Sequence, residues 1–427
     1  MGDLDDFHGF QQQLQRELDK LGHHHPDDQP YVKRFVRKLD GRVKDSTLSE
    51  YLKNIRMTSE RIDQSLVSLT ELDFDDHVYD LRHSPEYGRG PDPGLSDHTV
   101  RTVQFAVRKF LTTVDVDGAD WAEDYDLIVA SKNNVQPEDM LLASDINALT
   151  SAAEYLRNIA MIEFFADTGA RLSLIGSLRV GDVNLDGEQA TYTPNPNARG
   201  LKGAEIMPYP IIDSKAILRT YLQQTHPRSD RDDVAFFHAL PGNYDEEDDG
   251  AITPRTIQYM LSKVSREAGV EKPTNPHNFR HSAITRMSRE GYSRSEIEHR
   301  VHWKIDTDMW EVYEHISGEQ HNDSIFAKAG IVETDDANAL EQERRPCGNC
   351  RELLAPHHGY CPRCGEAASP ETRELKGDAV SDLAEGMASI EDMSRREFRA
   401  FVLRRLDADP SALGAHEESP SSESSTD

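Results

Sequence analysis

The sequence predicts a mainly α-helical chain that carries one small antiparallel β-sheet and ends in a separate cysteine module. Three observations predict it. Apolar residues recur at helical spacing behind Ser, Thr, Asp and Pro caps. Two short strand signals, Ala190-Thr191-Tyr192-Thr193 and Ile206 to Ile212, flank the loop Asn195 to Gly203. All four cysteines fall between positions 347 and 364.

Taken in order, residues 1–28 are polar, with His23-His24-His25 before Pro26, and are expected to form a mobile or weakly helical extension. Nothing near the histidine run completes a metal site. A helical domain is expected over 29–125. Ser46 to Glu50 cap a helix carrying Tyr51, Leu52 and Ile55; Leu95 to His98 cap another carrying Val100, Val103, Phe105, Ala106, Phe110 and Leu111. The breaker-rich loop Gly88 to Gly94 separates them. Arg101, Arg108 and Lys109 on the later helix read by default as a solvated face, although a DNA-clasping surface looks the same.

A linker follows over 126–142, then a second domain over 143–330. Ala143-Ser144-Asp145 cap its first helix, and the run from Ile159 to Phe165 reads as a buried one that Gly169 ends, setting Arg171 on a turn. After the two strands, helices are expected at Ser214 to Leu222 and Pro254 to Ala268. Two more follow His277, with Tyr313 in or at the edge of the second. The rest divides into a linker 331–345, the cysteine module 346–368, a helical tail 369–410 in which the capping box Ser394-Arg395-Arg396-Glu397 opens the helix of Phe398, Phe401, Val402 and Leu406, and a Ser/Glu-rich end 411–427 expected to be disordered.

The balance is strongly acidic, with 48 Lys+Arg against 77 Asp+Glu and a net charge of −29. Taken alone this opposes a polyanion partner, since DNA affinity draws on cationic contacts. The acid is nevertheless spread along the whole chain, as expected of a halophile's surface, where molar salt screens charge within about 3 Å. A local basic groove survives under such a charge. No apolar run approaches a membrane span, and Met1 to Asp6 has no secretory pattern, so a cytoplasmic protein is expected.

The chemistry concentrates in Arg171, His277-Asn278-Phe279-Arg280-His281, His302 and Tyr313. Phosphodiester transfer without a metal needs cations around the non-bridging oxygens, an in-line nucleophile and an acid for the leaving oxygen. Arginine holds phosphate through a planar fork and keeps its charge; a tyrosine hydroxyl can form and later release a phosphoester. His277-x-x-Arg280, after the helix-starting Pro276, puts both side chains on one face of a turn. Singly, Arg171 could be an ion-pair partner, His277 a cap and Tyr313 a core aromatic beside Trp310.

In that order these residues resemble the tyrosine recombinase/integrase family, phage-integrase and Xer-like, over roughly residues 35 to 330. Thr168-Gly169-Ala170-Arg171-Leu172-Ser173 is similar to its first arginine box, and Leu178 to Val183 to the segment after it. His277 to Ser282 resembles the second box, Val301-His302-Trp303 the Leu-Gly-His type motif, and Val312-Tyr313-Glu314-His315 the nucleophile box. The resemblance implies a SAM-like helical core-binding domain joined to an α+β catalytic domain. It implies that Arg171 and Arg280 clamp the scissile phosphate, His277 exchanges a proton there, His302 hydrogen-bonds it, and Tyr313 forms a 3′-phosphotyrosyl link. Lys202, the one lysine between the strands, takes the place of the family's general acid, with Arg199 as fallback. Double-stranded DNA and assembly into a tetramer on it are implied, with no catalytic cofactor.

The chain departs from the family at Leu174, where an acid is usual, and at Val301, where glycine is usual. These departures leave open a catalytically weak or inactive DNA-binding regulator on the same fold.

Cys347-Gly-Asn-Cys350 and Cys361-Pro-Arg-Cys364 are two knuckles whose four thiolates suit a tetrahedral structural Zn²⁺. The module resembles the zinc ribbon appended to some archaeal integrase-like recombinases, and its expected role is contact with DNA or a neighbouring protomer. His357 and His358, between the knuckles, are substitute ligands.

Overall fold

A computed structural model describes residues 2–62, 64–88, 93–130, 136–304, 307, 310, 344–355 and 357–368. They form two units. One spans Asp6–Asn134; the other combines the residues before Asp6 with the chain from Val135 onward.

The first unit is helical: α1 (Phe10–Asp19), α2 (Gln29–Leu39), α3 (Asp45–Ile62), α4 (Glu71–His83), α5 (Asp97–Val114) and the single turn α6 (Trp121–Asp124). Val32, Phe35 and Leu39 of α2 share one face because their spacing follows the helical period, and they pack with Leu52 and Ile55 of α3 and Val103, Val107 and Phe110 of α5. Ser96 caps α5, and Thr70 with Asp73 forms a capping box on α4. Residues 6–28, within the stretch expected as an extension, are instead built into this unit. Helix α1 packs on α3, Arg56 binds Glu17 at 2.9 Å, and Asp28 is wholly buried. Asp28 accepts hydrogen bonds from Ser59 and Ser65 hydroxyls and the Leu66 and Val67 amides, which satisfy its carboxylate. Two of the three basic residues on α5 serve the fold: Arg101 donates to the Ile128 carbonyl, and Arg108 to those of Glu123 and Tyr125.

The second unit holds α7 (Ala143–Ala152), α8 (Leu156–Thr168), α9 (Leu172–Ser177), β1 (Val183–Asn184), β2 (Ala190–Tyr192), β3 (Tyr209–Ile211), α10 (Lys215–Gln224), α11 (Pro254–Glu267), α12 (Pro276–Arg289) and α13 (Arg294–Arg300). The strands form an antiparallel sheet in the order β1-β2-β3, with Ala190 opposite Ile211 and Tyr192 opposite Tyr209. Helix α8 lies in the core, burying Ala160, Met161, Ile162, Phe164 and Phe165. It also buries Asp167, whose carboxylate accepts from the Ile212 and Ser214 amides, the Ser214 hydroxyl and Arg300 at 2.8 Å. One buried acid therefore ties α8 to the end of β3, the start of α10 and α13. Met140 and Leu141, expected in a linker, are buried here, and Lys272 binds both the Met140 carbonyl and Asp145.

The cysteine module pairs β4 (Arg345–Pro346) with β5 (Leu353–Leu354). It sits on the unit's own surface: Arg344 binds Asp213 at 2.5 and 2.9 Å, Arg219 binds Glu352 at 3.3 Å, and the Thr220 hydroxyl donates to the Pro362 carbonyl. Tyr313, the helix predicted from Ser394 and the end 411–427 lie outside the described residues.

Candidate active site

Gly169 ends α8 in the left-handed conformation (φ 59°), where a side chain would be strained and would press on Ala283. The chain then turns so that Arg171 stands at the head of α9, half-buried, with its guanidinium donating to the His302 carbonyl at 3.3 Å. Pro276 starts α12 behind the Asn275 cap, whose side chain accepts from the His277 and Asn278 amides. Arg280 on the next turn is buried. It donates to the Gly169 carbonyl at 2.9 Å and the Val301 carbonyl at 2.6 Å, and lies over the Trp303 ring at 5.2 Å.

Three cations converge on His277. Partial burial of its ring lowers its pKa first, and the fields of Arg280, Lys202 and Arg171 lower it further. Its ring meets His281 edge-on at 4.2 Å, and burial holds His281 at about 4. Both shifts favour the neutral imidazole. Lys202 projects from the β2–β3 loop in a left-handed conformation (φ 49°), exposed beside the same cluster.

His302 is buried just after α13, also left-handed (φ 58°). Its Nε2 lies 3.0 Å from the Tyr192 hydroxyl, its ring centroid 4.1 Å from that of Tyr209, and burial followed by the Arg280 and Arg171 charges takes its pKa down to about 3. Nδ1 has no hydrogen-bond partner among the described residues. Val301 has φ −97°, open to any residue, so the missing glycine costs the backbone nothing. Leu174 is buried in α9, an apolar contact where the family has an acid.

The structure thus brings Arg171, Lys202, His277, Arg280 and His302 into one neighbourhood; Tyr313 lies outside the described residues. Sequence reasoning missed Tyr192 and Tyr209, a cross-strand pair supporting His302, and Asp167 and Arg300, which fix the frame. The tyrosines' alignment on one sheet face was the available signal.

Four sulfurs gather in the module, with Cys347–Cys364 and Cys350–Cys361 each 3.6 Å apart and all four ligand atoms within 4.8 Å. Tetrahedral Zn–S bonds of 2.3 Å place sulfurs about 3.8 Å apart, so the donor set fits. The two histidines do not join it. His357 Nε2 lies 2.7 Å and His358 Nε2 3.3 Å from the Glu163 carboxylate of α8. His358 Nδ1 accepts the Ala355 amide, so its Nε2 carries the proton and donates to Glu163.

Residues 139–320 match the phage integrase family. The tyrosine recombinase XerC of Actinobacillus pleuropneumoniae is 28% identical over 177 residues, covering 41% of this chain and 52% of that protein. The tyrosine recombinase XerA of Pyrococcus horikoshii is 23% identical over 243 residues, covering 56% and 77%. The chain thus spans about half the length of the first of these relatives. The solved Tn1549 transposon integrase, in complex with a circular intermediate DNA, shares the fold with a TM-score of 0.50 at 14% identity, over 69% of this chain and 98% of that one. Among the described residues no helix is long and apolar enough to cross a membrane. These likenesses support the assignment of residues 139–320 to the phage integrase family.

Proposed function

We propose that this chain is a site-specific DNA recombinase that cleaves and rejoins double-stranded DNA through a 3′-phosphotyrosyl intermediate. The observation that carries the reading is the convergence of Arg171, Lys202 and Arg280 on His277 within the segment that matches the phage integrase family. Arg171 and Arg280 hold the non-bridging oxygens of the scissile phosphate. Tyr313 attacks phosphorus, and the Tyr–P bond forms as the P–O5′ bond breaks. His277 accepts the phenolic proton, Lys202 gives one to the 5′ oxygen, and His302 donates to the phosphate. The scheme needs no catalytic cofactor.

Cys347, Cys350, Cys361 and Cys364 would hold a structural Zn²⁺ in a zinc ribbon; bound there, the ion cross-links the two knuckles and leaves no open position. The first unit clasps DNA, and protomers assemble on it as a tetramer. The net charge of −29 is read as adaptation to the cytoplasm of a haloarchaeon.

Leu174, apolar and buried where the family has an acid, favours a second reading: a DNA-binding regulator without strand transfer. Nicked suicide duplexes built from repeats flanking its own gene separate the two. A recombinase forms a denaturant-resistant DNA adduct that Tyr313→Phe abolishes without weakening the gel shift. Binding with no adduct at permissive salt leaves the regulator.

A further inference from the structure

Residues 2–5 are threaded into the second unit beside the β2–β3 loop, and nothing in the scheme above uses them. The Gly2 amide donates to the Ala251 carbonyl, and a methyl on Gly2 would overlap the Ile252 carbonyl. Leu4 is buried against Ala235 and Ala251. Asp5 then reaches the loop twice. Its carboxylate binds Arg179 at 2.6 Å and accepts from the Asn195 amide group at 3.0 Å; its carbonyl accepts the Arg199 amide at 2.7 Å.

Asn195 is wholly buried and opens the loop, its side chain also donating to the Leu4 and Ser177 carbonyls. On the loop's other side the Ser173 hydroxyl, two residues past Arg171, donates to the Gly200 carbonyl at 3.1 Å. Lys202 stands two residues beyond that anchor, in a left-handed conformation that an untethered lysine rarely keeps. A loop of this length held only at its strands samples many conformers; brackets at Asn195, Arg199 and Gly200 remove most of them.

We propose that residues 2–5 are a strap that sets the β2–β3 loop, which makes Asp5 a positioning residue for the Lys202 ammonium at the leaving 5′ oxygen. This rests on the recombinase reading above. The strap acts on one step alone: transfer of the Lys202 proton to O5′ as the P–O5′ bond breaks and the Tyr313–phosphorus bond forms. Phosphate binding, which falls to Arg171 and Arg280, is outside its reach.

A 5′-bridging phosphorothiolate isolates that step, because a thiolate leaves without a proton. Cleavage of matched nicked duplexes, one with oxygen and one with sulfur at the bridge, is compared for the unaltered full chain, Asp5→Ala, Gly2→Ala and Lys202→Ala. The oxygen substrate is expected to slow by about tenfold or more in Asp5→Ala and Gly2→Ala, and further in Lys202→Ala, since misplacing a catalytic group costs up to about 100-fold. The sulfur substrate should stay within about twofold of the unaltered rate in all three. Amide exchange of residues 196–203 should quicken in the two strap variants, whatever their activity. Equal slowing on both substrates overturns the proposal, as does unchanged loop exchange or an unchanged rate on the oxygen substrate. If the unaltered chain attaches to neither duplex, the recombinase reading itself fails and the strap falls with it.

Discussion

Replacing His357 by alanine should destabilise the second unit far more than a surface histidine would. Glu163 lies on buried α8, 3% exposed, and the cysteine module supplies its hydrogen-bond donors His357 and His358. Burial would raise the Glu163 pKa, but the charge and hydrogen bond of His357, then the His358 contacts, outweigh it and hold the carboxyl at about 2. The pairing is mutual, for Glu163 raises the His357 pKa against the opposing effect of burial. His357→Ala leaves a buried carboxylate with His358 as its one histidine donor. Breaking one side of a buried pair costs about 3–5 kcal/mol. For a unit of this size each kcal/mol moves the midpoint by about 2–4 °C, so a fall of roughly 10 °C is expected. Calorimetry at pH 7 on the zinc-saturated chain measures it. The double variant Glu163→Leu/His357→Leu should recover most of the loss, because removing both partners removes the unpaired charge. Bound zinc should stay at one ion per chain in His357→Ala, since the histidines donate to Glu163. A midpoint within about 2 °C of the unaltered chain, or loss of the ion, would refute the reasoning.

Two further outcomes follow from buried polar groups. Burial lowers the pKa of His302 to about 3 from an unfolded value near 6.5, so the unfolded chain takes up the proton first; stability is present above about pH 6.5 and drains as pH falls toward 3. About 2 kcal/mol from this residue should be gone at pH 5, and a second-unit melting temperature flat from pH 8 to 5 would contradict it. In the first unit, Asp28→Ala strands the buried Leu66 amide and the part-buried Val67 amide, which should cost about 3 kcal/mol and shift that unit's urea transition downward; an unmoved midpoint would show that water replaces the carboxylate.

Features encoded within a few residues were legible. Ser96, Gly169, Pro254 and Pro276 mark helix ends in the sequence and in the structure, and both strands of the β2–β3 hairpin fall inside the expected stretches. The arginine and histidine boxes were legible because their order along the chain resembles a known pattern. What escaped is carried by pairings across long sequence separation. Arg300 meets Asp167 over 133 positions and His357 meets Glu163 over 194, and neither acid stands in a motif. Residues 2–5 escaped for the same reason: a short polar stretch carries no period, and its partners lie near 179, 195, 199 and 251. Charge on α5 left two readings open, and its local use was not legible: Arg101 and Arg108 donate to nearby carbonyls.

The arginines of the second unit are held in two ways, and the contrast bears on what each can do. Arg300, Arg286 and Arg344 meet the carboxylates of Asp167 and Asp213, so their charge is matched where they pin helices together. Arg280 instead donates to the Gly169 and Val301 carbonyls, and Arg171 to the His302 carbonyl, all at the ends of α8 and α13. A helix C-terminus carries about half a negative charge, enough to orient a guanidinium without cancelling it. The left-handed turns at Gly169 and His302 are what leave those carbonyls pointing inward rather than into a continuing helix. Backbone carbonyls at two helix ends therefore share in orienting both guanidiniums. Burial first, and the fields of Arg280, Lys202 and Arg171 after it, lower the His277 pKa, so a group able to take a proton sits among cations. That combination depends on where two helices stop, which explains why the boxes carrying it cluster at helix ends.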